Sequence, residues 1–262
     1  MDELIVNLDA RLLTLILAAL MLAAWGVGLR LGRELRARER KARWSKFDDA
    51  SLALLGLLVA FTFGMSISRH EDRRTMVIRD SNAIGDFYTC ASLLSEPVRS
   101  KLQNVIRDYA ALRLEAARSS RLDHGGFEAL LKRFQQMQDQ MTELVGEALR
   151  AGTPIVVPLV STLNQLSSIN AERIGAIENR LPGSIALLLF ISALVATLLV
   201  GREQGFENKT EVAATLGFIL LVSLAVYVTL DLNQPQRGFV RVSQVPIERL
   251  LSSMNSSPAP TK

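Results

Sequence analysis

Four stretches of about 20 residues carry almost no ionisable side chains, and the residues between them carry nearly all of the charge. Each is long enough to cross a bilayer, since roughly 20 apolar residues at 1.5 Å rise match a hydrocarbon core of about 30 Å. The pattern predicts membrane spans over residues 12–31, 50–68, 184–200 and 212–230. Residues 201–211 are expected to be the short loop of a hairpin joining the last two spans. A purely soluble enzyme is excluded by this pattern.

Between spans two and three the pattern changes from uniformly apolar to periodic. Phe127, Leu130, Leu131, Phe134, Met137, Met141, Leu144, Val145 and Ala148 recur every three or four residues, one apolar stripe of an amphipathic helix. Gly125 and Gly126 precede it and Gly152 follows. Leu102, Val105, Ile106, Tyr109 and Leu112 form a second stripe, with Ser95 as its expected N-cap and Pro97 in the first turn. Thr153 and Pro154 read as an N-cap and first helical position for a helix running to Arg180, with Pro158 marking either a later start or a kink. No proline interrupts residues 50–94, so span two is expected to continue as one long helix beyond the bilayer. A short helix is expected over residues 247–254, and the only alternating pattern is at residues 239–243.

The predicted fold is therefore an all-α membrane protein: four transmembrane helices, with a helical extramembrane bundle inserted between spans two and three. Its expected parts are an N-terminal transmembrane hairpin (1–68, with a basic linker at 32–49), the helical domain (69–183), a C-terminal hairpin (184–230) and a tail (231–262). The helical domain carries 15 Lys and Arg against 14 Asp and Glu, a mixed, solvated surface. Acidic Asp2, Glu3 and Asp9 precede span one with only Arg11 among them, which suits an uncleaved helix better than a secretory leader.

Formal net charge is +4, and many basic residues flank the spans, which favours lipid headgroups as partners over nucleic acid. Cys90 is the single cysteine, so no intrachain disulfide can form. His70 and His124 stand in different segments with no Cys or clustered carboxylates at ligand spacing, so no metal site is expected, and no cofactor fingerprint or catalytic motif is present. By the positive-inside rule the two sides nearly tie, nine flanking basic residues against ten. Only the first hairpin, with eight basic residues from Arg30 to Lys46 after span one against Arg11 before it, leans toward a cytoplasmic linker, which Trp44 and Phe47 close.

Two faces of span two carry the candidate function. Gly56, Ala60, Gly64 and Ser68 form a small-residue seam at four-residue spacing. Helices in lipid associate largely through close backbone approach and dispersion, so such a seam suits either packing inside one subunit or contact between subunits around an axis. A shorter seam, Ala24, Gly28 and Gly32, lies in span one. Opposite the first seam, Leu58, Thr62, Met65 and Arg69 share a stripe of roughly 60°. If span two lines a pathway, that stripe gives an apolar constriction, a hydroxyl and a positive mouth that attracts anions. The charged run from Arg69 through Asp86 reads as a surface ion-pair network or as an electropositive vestibule.

The segments FTFGMSISRHEDRRTMVIRDSNAIGDFYTCASLL, VIRDYAALRLE, LNQLSSINAERIGAIENRLPGSIALLL and LDLNQPQRGFVRVSQVPIERL resemble the bacterial bestrophin-like membrane family. The matching motif residues are Asn82, Ala83, Ile84 and Gly85, then Pro235, Arg237, Gly238, Val242, Ser243, Gln244 and Pro246. Asp80 stands where the family usually has glutamate and Ser81 where alanine is common, while Asn233 and Gln234 replace an Asp-Arg pair. The loss of that pair puts in doubt any salt bridge the family makes there. The resemblance extends to bestrophins, which are pentameric chloride channels with the second span around the pore. It implies a multi-pass protein of the inner membrane, a homo-oligomer, and chloride or another small anion as the conducted species. It also implies cytosolic termini, opposite to the orientation read from the basic linker. The expected function is an oligomeric, anion-conducting channel or channel-like protein; the alternative is a membrane-anchored sensor or scaffold whose helical domain binds a partner.

Overall fold

The computed structural model describes residues 10–37, 45–118, 124–178, 182–233, 240 and 242–256. All regular structure among them is helical: α1 (Ala10–Ala37), α2 (Ser45–Ser92), α3 (Val98–Arg118), α4 (His124–Arg150), α5 (Val156–Glu178), α6 (Gly183–Glu207), α7 (Val212–Leu232) and α8 (Val245–Ser256). Four segments are long and apolar enough to cross a membrane: Ala10–Ala37, Asp49–Ser92, Gly183–Glu207 and Val212–Leu232. The expected long helix is present, since α2 runs unbroken for 48 residues.

The chain divides into two compact units, Met1–His70 with Arg180–Val240, and Glu71–Asn179 with Arg241–Lys262. Helix α2 contributes to both. In the first unit α1, α2, α6 and α7 share a core that includes Leu17, Met21, Leu55, Leu189, Ala193, Ile219 and Val226. The main partner of α6 is α1 rather than its sequence neighbour α7. Glycine explains why. A Cβ on Gly28 would overlap the Leu198 carbonyl oxygen, one on Gly32 the Arg202 carbonyl, one on Gly201 the Trp25 carbonyl, and one on Gly205 the Leu29 carbonyl. The span-one seam thus meets a second glycine pair, and the two backbones touch directly.

That contact corrects the expected loop at residues 201–211. Helix α6 continues to Glu207, because Gly201 and Gly205 are packing positions and not turn positions. Gln204, on the same stretch, accepts a hydrogen bond from Trp25 Nε1 (3.1 Å) and donates Nε2 to Thr215 Oγ1 (2.9 Å). The helix ends at Asn208, in the left-handed region at φ 58°. Asn tolerates that conformation better than most side chains.

In the second unit, Ile84 and Phe87 of α2, Leu102, Ile106 and Tyr109 of α3, Phe134, Met141 and Val145 of α4, Leu159 and Leu166 of α5, and Met254 of α8 form one core. Helix α4 ends at Arg150, and the chain turns at Gly152, whose φ of 78° only glycine adopts without strain. Helix α5 starts at Val156, two residues beyond Pro154, with Pro158 inside its first turn and no break there. The expected Ser95 cap of α3 is supplied instead by Glu96. Its Oε2 accepts from the Ser100 amide (3.3 Å) and from Ser100 Oγ (2.6 Å), while Oε1 accepts from Arg99 Nε (2.9 Å). The longer glutamate side chain reaches the free amide from one position further on. Residues 240 and 242–244 form no strand.

Candidate functional site: an open helix face and a buried ionic cluster

The two faces of span two have different surroundings. Leu55, Thr62 and Ser66 are buried, with exposures of 2%, 3% and 1%. Gly64 is two residues from both Thr62 and Ser66, which turns it about 200° away on a helix. It is exposed, as are Gly56, Ala60 and Ser68. A Cβ added at Gly56 or Gly64 meets nothing within 4 Å. The small-residue seam of span two is therefore not used for packing inside the described chain. Leu57 and Phe61 lie on the same side, 53% and 63% exposed.

The stripe Leu58, Thr62, Met65 and Arg69 is split by the packing. Leu58 is half-buried against the membrane core, and Thr62 turns inward, donating Oγ1 to the Leu58 carbonyl (2.8 Å). Met65 is 38% exposed. Arg69 is half-buried and its Nη1 is shielded without a hydrogen-bond partner. The four residues do not share one environment.

In the second unit a cluster of charge lies where a core would be apolar. Asp80 of α2 is fully buried. Its Oδ2 accepts from Arg173 Nη1 of α5 (2.6 Å) and lies 3.3 Å from Arg113 Nε of α3. Arg113 is 4% exposed and donates Nη2 to Tyr109 OH (2.6 Å) and to Asn170 Oδ1 (2.5 Å). Asn170 Nδ2 in turn donates to Gln138 Oε1 of α4 (3.3 Å). The Arg113 guanidinium stacks over two rings, 4.2 Å from the centre of Phe134 and 4.9 Å from that of Tyr109. These rings meet edge to face at 5.4 Å. Four helices are thereby joined by one polar network inside an otherwise apolar core.

Burial depresses the Arg173 guanidinium below its ordinary value, and the neighbouring Arg113 charge adds to this against the attraction of Asp80. Burial pushes the Tyr109 phenol up, so its hydroxyl keeps its proton.

Sequence spacing carried a signal for this cluster. Val77, Asp80, Ile84, Phe87 and Ala91 recur every three or four residues, so Asp80 occupies a core position of its stripe. Arg113 follows Leu102, Ile106 and Tyr109 at the same spacing, and Asn170 and Arg173 follow Leu159, Leu163 and Leu166. Charged residues in phase with an apolar stripe mark a buried ionic site.

The motif residues near Asp80 serve helix α8. Ser81 Oγ donates to the Pro246 carbonyl (3.1 Å), and Gly85 faces Leu250, whose Cδ1 would lie 3.2 Å from an added Cβ. Ala83 and Ile84 are core residues, while Asn82 is exposed. Tyr88 OH accepts from Arg107 Nη2 (2.6 Å) and donates to the Met254 carbonyl (3.5 Å). Two motifs far apart in sequence meet here, which gives their joint presence a packing reason. Pro235, Arg237 and Gly238 lie outside the described residues. The carboxylate of Asp231, at the end of α7, accepts the Val240 amide (3.0 Å). No group of His, Cys, Asp and Glu able to hold a metal ion occurs among the described residues.

Helices of this length and apolarity, packed through paired glycines, define a multi-pass helical membrane protein. The family model of the bestrophin-like domain matches residues 13–247, and the chain belongs to that family. No curated protein and no solved structure matches the chain.

Proposed function

We propose that the chain is the subunit of an oligomeric membrane channel, conducting chloride or another small anion, with span two at the contact between copies and around the axis. The observation that carries this reading is the outward seam of Gly56, Ala60, Gly64 and Ser68. The glycines of span one are filled by α6, whereas the seam of span two has no partner within the described chain. In lipid, a second helix backbone is the partner such a surface fits best. In this reading the seam makes the contact between copies, while Met65 and Arg69, on the opposite stripe, face the path and give it an apolar stretch and a cationic mouth. Thr62 and Leu58 support the span from within the subunit. The second unit, with its mixed charge, lies outside the bilayer in this reading, and the protein belongs in the bacterial inner membrane. Membership of the bestrophin-like family makes a ring of five the expected assembly.

Particle mass in mild detergent and chloride efflux from proteoliposomes test the reading together. A closed oligomer whose efflux falls sharply in Met65→Trp and Arg69→Glu supports it. A monomer without efflux overturns it and leaves the membrane-anchored scaffold, in which the second unit binds a partner.

A further inference from the structure

Helix α2 is one rod shared by both units, and its inward face is held differently in each. In the first unit Thr62 donates to the Leu58 and Val59 carbonyls of its own helix, and Ser66 Oγ has no partner. Leu55 meets the membrane core through apolar contact, which in lipid carries little hydrophobic drive. In the second unit the same face carries Asp80. Thr62 and Asp80 are 18 residues apart, five complete turns over about 27 Å, so both lie on one side of the rod. Asp80 Oδ2 accepts from Arg173 Nη1 of α5 (2.6 Å) and lies 3.3 Å from Arg113 Nε of α3, so two helices draw that side inward. A charge-assisted hydrogen bond fixes direction in a way that apolar contact does not. Turning α2 away would leave two guanidiniums buried without their carboxylate, a heavy penalty.

We propose that Asp80 and Arg173 are positioning residues for span two: their ion pair fixes the rotation of α2 about its own axis, and thereby which residues of the span turn into the subunit. The helix holds no proline and runs unbroken for 48 residues, so a rotation set at Asp80 is carried to Thr62. With Asp80 held inward, Thr62 and Ser66 are buried and Gly64 faces out. The consequence for conduction rests on the reading above, in which the outward seam makes the contact between copies and Met65 and Arg69 face the path. Arg173 is the member through which the tie can be released. Its side chain is 14% exposed, and its removal leaves Asp80 with Arg113 as a neutral pair. Removal of Asp80 instead strands two cations in the core.

The test uses the full chain in liposomes, with Cys90→Ala and a single cysteine moved through residues 59–66, each carrying a nitroxide. Collision with dissolved oxygen, read by paramagnetic resonance, should oscillate along the helix with minima at residues 62 and 66. The phase of that oscillation reports rotation and not stability. In Arg173→Gln the phase should shift or the oscillation be lost, while Arg173→Lys, which keeps a charge and a donor for Asp80, should retain the wild-type phase. An unmoved phase in Arg173→Gln, or a shift that Arg173→Lys does not correct, overturns the proposal even where the melting temperature falls, since a merely structural pair lowers stability alone. Where Arg173→Gln does not unfold cooperatively, Asp80→Glu carries the test, because it keeps every charge and lengthens the tie by one methylene. A shifted phase there supports the proposal and an unmoved one overturns it. Chloride efflux from the same liposomes separates the two claims: wild type without efflux removes the path and leaves the phase result standing, and an unmoved phase removes the tie whatever the efflux.

Discussion

The first unit holds α1 against α6 by removing side chains: four glycines let the backbones meet, and a Cβ at any of them would strike a carbonyl oxygen. The second unit does the opposite. Its helices are kept apart by Phe87, Tyr109, Phe134 and Met141, and a polar network crosses the space between them. In lipid there is little hydrophobic drive between helices, so close approach must supply the association. In water that drive is present, and buried polar groups fix which helices pair and in what register, at a cost in stability. The contrast fits the proposed reading, in which the first unit lies in the bilayer and the second on an aqueous side.

The largest effect is expected at the centre of the second unit. Asp80→Ala leaves two buried guanidiniums facing each other, and removing one partner of a buried ion pair costs about 3–5 kcal/mol. Calorimetry should show the unfolding transition of this unit lost or shifted strongly downward. An unshifted transition would mean that the ion pairs carry no structural weight.

Next comes the glycine contact of the first unit. Gly28→Leu forces α1 away from α6, and overpacking of this kind costs about 1–3 kcal/mol. Gly26 lies in the same helix, and a Cβ there meets nothing within 4 Å. Gly26→Ala should therefore be neutral or stabilising through helix propensity, by up to about 1 kcal/mol. Yield and melting temperature in detergent separate the two. Equal losses would show that glycine matters here for flexibility and not for proximity.

The seam of span two should behave as the reverse of that contact. Gly56→Leu with Gly64→Leu should change the stability of one subunit by no more than about 0.5–1 kcal/mol, since nothing in the chain is displaced. Its effect belongs to assembly, and native mass spectrometry should show smaller particles. An unaltered oligomer would move the subunit contact to another face.

Element type was legible because each rule invoked is local. Charge-free runs of bilayer length marked the membrane helices, and three- and four-residue spacing marked the helices between spans two and three. Partner choice was not legible in the same way. Gly201 and Gly205 read as loop residues because they follow the apolar run and adjoin Arg202, Glu203 and Gln204. Only the position of Gly28 and Gly32 on another helix reveals them as the second half of a contact. The seam and the stripe of span two were both visible as periodicities, yet which one turns inward depends on Leu55 and Ser66 meeting the core. Arg113 and Arg173 were in plain view at core spacing, but a sequence does not state that their stripes converge on Asp80.

The smallest expected effect compares the buried network with an exposed one in the same unit. Glu96 is at the surface, and its carboxyl is held below the ordinary value by the Ser100 hydroxyl first and by Arg99 next. A depressed carboxyl contributes stability that is present above its unfolded pKa, and this is lost as pH falls through the lower folded value. Wild type should therefore exceed Glu96→Gln in melting temperature near neutral pH, and the two should converge as the medium becomes acidic enough to protonate the carboxylate. The gap should narrow with added salt, because exposed pairs are screened. The loss in Asp80→Ala should persist at the same salt, because its partners are removed from solvent. A Glu96 effect as large and as salt-resistant as that of Asp80 would erase the distinction between exposed and buried charge in this unit.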